Sequence, residues 1–312
     1  MTTMPAGTDS GTMTTVVTGA STGIGLATAV RQARAGDRVW ALVRTPSACA
    51  DLAALAAAEG LDLRIVACDV SLDASVDAAF AEILADGGRV DRLVNNAGLF
   101  TSATLEAETI AAIKDVFEVN YFGALRCVQK VLPGMREAGG GVICAVTSNS
   151  AQAILPSWTA YAGSKCALEG SLESVANEVA AFGIRIAIVQ PGITLTAMRG
   201  KISARPSPAA YDRTLSRYRT MIAAGRTESM DPDDVAIAIQ RVLTDPASPF
   251  RTPVGADAER NVALRRSIDD ERWVRLFAPV EDDDFYARWS ELAGVPDART
   301  VADARLLDPS SR

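Results

Sequence analysis

A short apolar segment near the start of the chain, residues 14–17, leads directly into the glycine-rich sequence TGASTGIG at 18–25. Gly19, Gly23 and Gly25 suit a tight turn from a strand into a helix, where the backbone approaches a bound group closely. The N–H groups at the start of such a helix bind a pyrophosphate. A glycine pattern alone is a weak signal, but here strand, turn and helix follow in the order that dinucleotide binding requires.

Strand and helix patterns alternate along the rest of the chain. Helical patterns include 23–35, 73–85 and 160–182, and Asp231-Pro232 predicts the start of a helix that runs to about residue 243. The strand candidates are the apolar runs 14–18, 38–43, 63–68, 91–95, 141–147, 184–190 and, more weakly, 250–254. This alternation predicts an α/β fold, a single doubly wound domain with a parallel seven-stranded sheet between two layers of helices. Ligands of such sheets bind at the carboxyl ends of the strands.

The most informative polar pattern is Tyr161 followed four residues later by Lys165, within TSNSAQAILPSWTAYAGSK at 147–165. On a helix the two side chains share one face, so an ammonium beside the phenol would stabilise its ionised form. The same spacing also arises by chance in many surface helices. The chain has no histidine, which excludes a Ser-His-Asp triad and a His-ligated zinc and leaves acid-base chemistry to Tyr, Lys, Cys or a carboxylate.

Charge and composition exclude other classes of protein. A net charge of −7 without interleaved basic and aromatic residues argues against a nucleic-acid partner. The sequence contains no run of 18 apolar residues and no secretory signal pattern at its start. Five cysteines without paired spacing favour free thiols and a cytoplasmic location. We expect a disordered tail at 1–12, one domain at 13–280, and a C-terminal helix and tail without assigned chemistry at 281–312.

These motifs together resemble those of the short-chain dehydrogenases/reductases. The matching motifs are TGASTGIG at 18–25, Asp69-Val70, NNAG at 95–98, Asn120 in FEVNYFG, Ser148, Tyr161-x-x-x-Lys165 and PGITLT at 191–196. They occur in the family's order and at its usual spacings over about residues 13–255. The resemblance implies a Rossmann fold and a nicotinamide-dependent oxidoreductase. Residues 251–277 resemble, more loosely, the end of the hydroxysteroid and retinol dehydrogenases of this family.

The resemblance implies four catalytic residues. Tyr161 would be the general acid in reduction and the base in oxidation, with its pKa lowered by Lys165 and by the oxidised nicotinamide. Lys165 would also hold the nicotinamide ribose hydroxyls. Ser148 would donate a hydrogen bond to the substrate oxygen, with Ser150 as a competing serine. Asn120 would kink its helix through a backbone group and anchor a water that relays protons to Lys165.

The resemblance also implies a set of cofactor-binding residues. Arg44 stands where a carboxylate would bind the adenosine ribose of NAD, and its guanidinium suits the 2′-phosphate of NADP instead. NADP(H) is therefore favoured over NAD(H), although Thr22 leaves the family's other basic position uncharged. Asp69 would accept from the adenine amino group, while the Ile193 backbone and the Thr196 side chain would hold the carboxamide. The full set is Gly19, Ser21, Thr22, Gly23, Ile24, Gly25, Arg44, Asp69, Val70, Asn96, Ala97, Gly98, Tyr161, Lys165, Pro191, Gly192, Ile193 and Thr196.

The substrate site is expected beyond the cofactor motifs. Residues 197–230 predict a helical lid, or a helix pair that simply packs on its neighbours. Apolar residues favour a medium-to-large lipophilic ketone or secondary alcohol. The candidate substrate-binding residues are Phe100, Ser148, Leu155, Trp158 and Met198. The alternatives are NAD-linked oxidation of a smaller alcohol, reduction of an activated double bond, and a cofactor-binding regulator. Family members associate through their long helices, so a homodimer or homotetramer is expected.

Overall fold

The structure, a computed structural model, describes residues 12–196, 203–204, 206–278 and 281–302. The described strands are β1 (Thr14–Thr18), β2 (Arg38–Val43), β3 (Leu63–Ala67), β4 (Arg92–Asn95), β5 (Thr101–Ser102), β6 (Gly141–Val146), β7 (Ile184–Pro191), β8 (Ser203–Ala204) and β9 (Arg251–Val254). The α-helices are α1 (Gly23–Arg34), α2 (Ala50–Glu59), α3 (Asp73–Gly87), α4 (Ile110–Phe117), α5 (Gly123–Glu137), α6 (Thr159–Val179), α7 (Asp212–Gly225), α8 (Pro232–Thr244), α9 (Ala256–Ser267), α10 (Asp270–Val274), α11 (Asp282–Ala293) and α12 (Ala298–Val301).

Seven strands form one sheet in the order β3-β2-β1-β4-β6-β7-β9, and every pairing in it is parallel. The predicted fold class is therefore confirmed. The predicted strands agree with the observed ones to within one residue at each end. The largest addition is a second, two-stranded sheet of β5 and β8, which the sequence patterns did not indicate.

The sheet is buried on both faces, as its apolar strands predict. In β2, Trp40 and Leu42 point into one hydrophobic cluster, while Val39 and Ala41 point into the other. Successive residues of a strand face opposite sides of a sheet, so a strand that is apolar at every position must be covered on both sides. Helices α3, α5 and α6 contribute to the first cluster, and α1, α2 and α8 contribute to the second.

A third hydrophobic cluster lies outside the sheet and joins the later helices. Its buried members come from α7 and α9 to α12, together with one residue that precedes α6 and one that lies between α10 and α11. They are Ala153, Met221, Leu264, Trp273, Leu276, Phe285, Tyr286, Trp289, Ala293 and Ala298. Arg217 of α7 donates a 2.8 Å hydrogen bond from Nε to Asp282 of α11. The segment from residue 281 is thus packed against the rest of the chain through α11 and Ala298.

The direction in which the chain winds reverses between β1 and β4. The chain runs from β1 outward to β3, returns to β4 beside β1, and then continues to β9 at the other edge. A crevice opens at the carboxyl ends of the strands at such a reversal, and ligands bind there. Among the described helices, none combines the length and the apolar character needed to cross a bilayer.

Candidate active site

A cleft of about 390 Å³ lies at the carboxyl ends of β1 and β4. Every residue of the predicted cofactor-binding set except Gly25 lines this cleft. Its lining also includes residues outside that set, among them Leu99, Val146, Thr194, Ile222 and Arg226. Residues that are up to 207 positions apart in the sequence, Gly19 and Arg226, therefore meet at the place where the fold predicts a ligand.

The glycine turn between β1 and α1 is closely packed. Gly19 and Gly23 have φ angles of 67° and 59°, in the left-handed region that favours glycine. A Cβ at Gly25 would lie 2.4 Å from the Gly19 carbonyl oxygen and 2.4 Å from Nδ2 of Asn96. Gly25 therefore packs behind the turn, and it is the one member of the predicted set that does not line the cleft.

Hydrogen bonds brace this turn against the end of β4. Oγ1 of Thr18 accepts from the backbone N–H groups of Asn96 and Ala97, each at 3.0 Å. Nδ2 of Asn96 donates to the carbonyls of Thr18 and Gly19 at 3.0 and 3.2 Å. The Asn96 side chain thus holds the turn in place, and its position in the wall of the cleft follows from that role.

Arg44 and Asp69 mark the far end of the cleft. Arg44 directly follows β2 and is exposed, and within the described residues it forms no hydrogen bond or ion pair. Oδ1 of Asp69 accepts from the N–H and the hydroxyl of Ser71 at 3.0 and 2.6 Å. Although burial opposes the effect, these hydrogen bonds and the charge of Arg44 lower the pKa of Asp69. Arg44 is therefore a guanidinium available to an anionic ligand.

Tyr161 lies in the first turn of α6 and is 9% exposed. Its ring packs edge-on against Phe100 and Trp158, at centroid distances of 4.8 and 6.3 Å. Burial raises the pKa of Tyr161, and a hydrogen bond with Ser148 opposes that rise. In the chain by itself, desolvation therefore dominates the pKa of Tyr161. Nζ of Lys165 lies 5.9 Å from the ring centroid, and the lowering of this pKa by Lys165 and by the oxidised nicotinamide stays a prediction for the cofactor complex.

Lys165 lies beneath Tyr161 and is 4% exposed. Its Nζ donates a 3.0 Å hydrogen bond to the carbonyl of Val146, the last residue of β6. Burial lowers the pKa of Lys165 to about 8, and the charge of Glu169 opposes that fall. A Cβ at Gly98 would lie 3.6 Å from this Nζ, which is an ordinary contact distance, so Gly98 lies directly beside the lysine.

Asn120 lies in a π-helical turn, Glu118–Phe122, between α4 and α5. This irregularity coincides with the predicted kink, and π-turns within helices often occur at functional sites. Oδ1 of Asn120 accepts from the Leu99 N–H at 2.7 Å, and Nδ2 donates to the Leu99 carbonyl at 2.9 Å and to Oγ of Ser164 at 3.0 Å. The side chain therefore joins α6 to the loop after β4. The predicted water relay from Asn120 stays a prediction.

A second cavity of about 280 Å³ adjoins the cleft. The two share Phe100, Ser148, Trp158, Tyr161, Gly192, Ile193 and Ile222. Leu155 also lines the second cavity, so the structure brings together four of the five candidate substrate-binding residues. The fifth, Met198, lies outside the described residues.

Helix α7 and the C-terminal helices complete the wall of this second cavity. Met221 and Ala224 of α7 line it, and Tyr218 of the same helix accepts a 2.6 Å hydrogen bond from the indole N–H of Trp158. The C-terminal contribution is Trp289, Val295, Pro296, Ala298 and Val301. The segment from residue 281, to which the sequence analysis assigned no chemistry, thus contributes to the wall of this cavity. The sequence pattern that could have predicted this contribution is the helical spacing of the apolar residues in 285–293.

The turn after β7 is held by a buried carboxylate that the sequence patterns did not single out. Oδ2 of Asp257 accepts a 2.8 Å hydrogen bond from the Ile193 N–H, and the Ile193 carbonyl accepts from the Met230 N–H at 2.9 Å. Both backbone groups of Ile193 are therefore used within the protein. Ile193 and Thr196 both line the cleft, and their role in holding a carboxamide stays a prediction, for which the Ile193 carbonyl keeps a second lone pair. Burial raises the pKa of Asp257.

Comparison with known proteins identifies the family. A family model described as short chain dehydrogenase matches residues 13–207. The chain belongs to this family. It is 35% identical to human retinol dehydrogenase 8 over 248 residues, which cover 76% of this chain and 80% of the relative.

Solved structures agree with the family assignment. A short-chain dehydrogenase from Streptomyces avermitilis is 33% identical, with a TM-score of 0.77 over 86% of this chain and 97% of the other. A 3-ketoacyl-(acyl-carrier-protein) reductase from Brucella melitensis, complexed with NADH, is 27% identical, with a TM-score of 0.66 over 78% of this chain and 96% of the other. The chain is thus a short-chain dehydrogenase/reductase, an oxidoreductase that acts on CH–OH groups with a nicotinamide cofactor.

Proposed function

We propose that this short-chain dehydrogenase interconverts a ketone and a secondary alcohol on a medium-to-large lipophilic substrate, using NADP(H). The observation that carries the proposal is the meeting of the two cavities at Tyr161 and Ser148. A cofactor in one cavity and a substrate in the other would have their reacting atoms beside the same phenol and hydroxyl. Such positioning is a large part of enzymatic rate enhancement.

The residues of the cleft fit a dinucleotide. Glycine at positions 19 and 23 lets the backbone adopt left-handed φ angles, and α1 directs its first N–H groups toward the turn, where a pyrophosphate would accept hydrogen bonds. Lys165 would donate to the nicotinamide ribose, and Asp69 would accept from the adenine through Oδ2. When bound, the nicotinamide supplies or accepts the hydride.

The proton chemistry belongs to the residues of the chain. In reduction, the Ser148 hydroxyl would donate a hydrogen bond to the carbonyl oxygen and stabilise the charge that develops there. The Tyr161 phenol would then donate its proton to that oxygen. Burial raises the pKa of Tyr161 and so keeps the phenol protonated at neutral pH, which is the form that the reduction requires.

The preference for NADP(H) is supported by Arg44. Its exposed guanidinium borders the adenosine end of the cleft beside Asp69, and a guanidinium pairs well with the oxygens of a 2′-phosphate. The uncharged Thr22 in the glycine turn is the observation that favours NAD(H), the cofactor present in the Brucella reductase.

The proposed substrate class is supported by the lining of the second cavity. Aromatic and aliphatic side chains from three parts of the chain, Phe100, Leu155, Met221 and Trp289 among them, surround it. A ring system or an acyl chain would bury apolar surface there, at roughly 25 cal/mol per Å² removed from water. NAD-linked oxidation of a smaller alcohol and reduction of an enone are the alternatives that the substrate panel below tests.

The decisive experiment is a parallel titration of the purified protein with NADPH and NADH, monitored by nicotinamide fluorescence, followed by lipophilic ketones added to the saturated complex. We expect tighter binding of NADPH and its oxidation by at least one ketone. Enones and secondary alcohols with NADP⁺ complete the panel. Equal affinity for the two cofactors would refute the role of Arg44, and turnover of enones alone would refute the ketone assignment.

We further propose a cytoplasmic homodimer or homotetramer. All five cysteines are free thiols in the structure, and four of them are buried, which suits a reducing compartment. Helix α6, one of the long helices through which family members associate, spans 21 residues. Light scattering of the purified protein would give the mass of the assembly, and a monomer would contradict the proposal.

A further inference from the structure

Glu169 is a buried carboxylate to which the proposed reaction assigns no role. It lies on α6 one helical turn after Lys165, on the same face, and it is 4% exposed. A carboxylate buried this deeply is costly unless its oxygens are hydrogen-bonded and its charge is balanced. The groups that donate hydrogen bonds to this carboxylate and neutralise its charge therefore indicate its role.

The carboxylate of Glu169 joins the ends of three strands. Oε1 accepts from Oγ1 of Thr147 at 2.7 Å and from Nε2 of Gln190 at 2.8 Å. Oε2 accepts from Nε of Arg251 at 2.8 Å. These donors lie just after β6, near the end of β7 and at the start of β9.

Each of the first two donors adjoins a part of the active site. Thr147 stands between Val146, whose carbonyl accepts from Lys165, and Ser148. Gln190 precedes the turn formed by Pro191 and Gly192, which lines the cleft. Glu169 thus holds in place the backbone that carries the catalytic serine and the acceptor of the catalytic lysine.

We propose that Glu169 is a positioning residue, which fixes the ends of β6 and β7 under the catalytic pair and supplies the negative charge that keeps Lys165 in its ammonium form. The inference rests on the proposed function for the importance of that ammonium. Within the described residues, no carboxylate lies within ion-pair distance of Nζ of Lys165, whose hydrogen bond goes to a neutral carbonyl. Glu169 therefore acts on the lysine through space and through the backbone that both contact.

The other charged and titratable groups near Glu169 are few. Arg251 faces it from β9 and also donates to Glu173 of α6 at 2.7 Å. From β6 and β7 the facing side chains are the uncharged Thr147 and Gln190. On α6 itself, the titratable neighbours are Tyr161, Lys165, Cys166 and Glu173. Of these, Glu173 provides a matched control, because its side chain is 58% exposed and shares the same arginine.

The ionisation of Lys165 is directly measurable, because the chain contains only four lysines: Lys114, Lys130, Lys165 and Lys201. Protein labelled with ¹³C at lysine Cε, with neither cofactor nor substrate, gives a separate titration curve for each lysine by NMR, and Lys165→Met assigns the signal. Burial lowers the pKa of Lys165 to about 8 in the wild type. Glu169→Gln should move this midpoint to lower pH by about one unit, the lower end of the effect of a nearby opposite charge.

Glu173→Gln should leave the Lys165 midpoint where it is in the wild type. A midpoint unchanged in Glu169→Gln, or moved equally by both substitutions, would overturn the proposal. If Glu169→Gln fails to fold because Arg251 is left without its buried partner, the double variant E169Q/R251Q removes both charges together. A smaller shift to lower pH is expected there, because the charge of Glu169 and not that of Arg251 acts on Lys165, while the loss of the arginine cation offsets part of the effect; a midpoint equal to that of the wild type would again overturn the proposal.

A second variant separates the positional effect from the electrostatic one. Thr147→Val removes one hydrogen bond to Glu169 but keeps its charge, so we expect a kcat lower by about tenfold with an unchanged Lys165 midpoint. A wild-type kcat in Thr147→Val would refute the positional role. Failure of the proposed function has a different signature, since the wild type would then lack turnover while the NMR titrations still gave their result.

Discussion

The glycine turn offers a sharp test, because the structure predicts opposite effects for the same substitution at two helical glycines. Gly25 lies in the first turn of α1, where a Cβ would approach the Gly19 carbonyl oxygen and Nδ2 of Asn96 to 2.4 Å each. Ordinary contacts of a Cβ begin at about 3.4 Å, so the turn or the helix would have to move by about 1 Å. At Gly170 of α6, no atom lies within 4 Å of the same position.

The expected magnitudes follow from these contacts. Overpacking costs about 1–3 kcal/mol, and an alanine in a helix regains up to about 1 kcal/mol relative to glycine. Gly25→Ala should therefore lose a net 1–2 kcal/mol or so of stability, or about 2–8 °C in Tm. Because the displaced turn is the proposed pyrophosphate site, NADPH affinity should fall by about tenfold or more, equivalent to about 1.4 kcal/mol. Gly170→Ala should instead gain about 0.5–1 kcal/mol and leave NADPH affinity unchanged.

Differential scanning fluorimetry and NADPH titration would measure both quantities on the two variants side by side. If Gly25→Ala matched Gly170→Ala in Tm and in NADPH affinity, the turn could accept a methyl group, and the argument from close packing would be refuted. If Gly25→Ala lost stability but kept its NADPH affinity, the turn would be structural, and the pyrophosphate would bind elsewhere.

Three further outcomes are expected. Arg44→Asp should shift the preference from NADPH toward NADH, by up to about 100-fold in the ratio of affinities if one charge-assisted pair of about 1.5–3 kcal/mol is lost; an unchanged ratio would show that the 2′-phosphate is bound elsewhere. Tyr161→Phe should abolish turnover while keeping NADPH affinity within a few-fold, and retained turnover would remove the tyrosine from its role. Burial raises the pKa of Asp257, so the contribution of this group to stability is present below the unfolded pKa and is lost as pH rises through the folded one. The Tm of Asp257→Asn should therefore rise relative to the Tm of the wild type as pH increases from about 4 to 7. A difference in Tm between the two proteins that stays constant across that range would contradict this account.

The fold could be predicted from the sequence because its signals are local. An apolar run such as Arg38–Val43 indicates a strand buried on both faces, and the following helix pattern indicates a parallel crossover. The pairing of β5 with β8 could not be predicted, since each has two residues and they lie about 100 positions apart.

The site residues that belong to a local sequence motif could be predicted. Features of the site that depend on a contact between residues far apart in the sequence could not. The glycine turn, Arg44 and Tyr161 all line the expected cleft. The engagement of the Ile193 backbone depends on Asp257, which is 64 positions away in the sequence, and no local pattern connects them. The desolvation that raises the pKa of Tyr161 in the chain by itself could not be predicted for a similar reason: helical spacing indicates the nearby ammonium, but only the folded chain reveals the extent of burial.

The division of the active site along the chain has a consequence for how its selectivity could be changed. The proposed hydride and proton chemistry relies on residues up to position 196, whereas much of the cavity wall comes from positions 221–301. A chimaera that takes this later stretch from a relative, but keeps Arg251 and Asp257 with their contacts to Glu169 and Ile193, would exchange much of the cavity wall and leave the reacting groups in place. The earlier portion, which also supplies Phe100, Leu155 and Trp158 to the wall, could then serve as a constant background on which different later portions are compared.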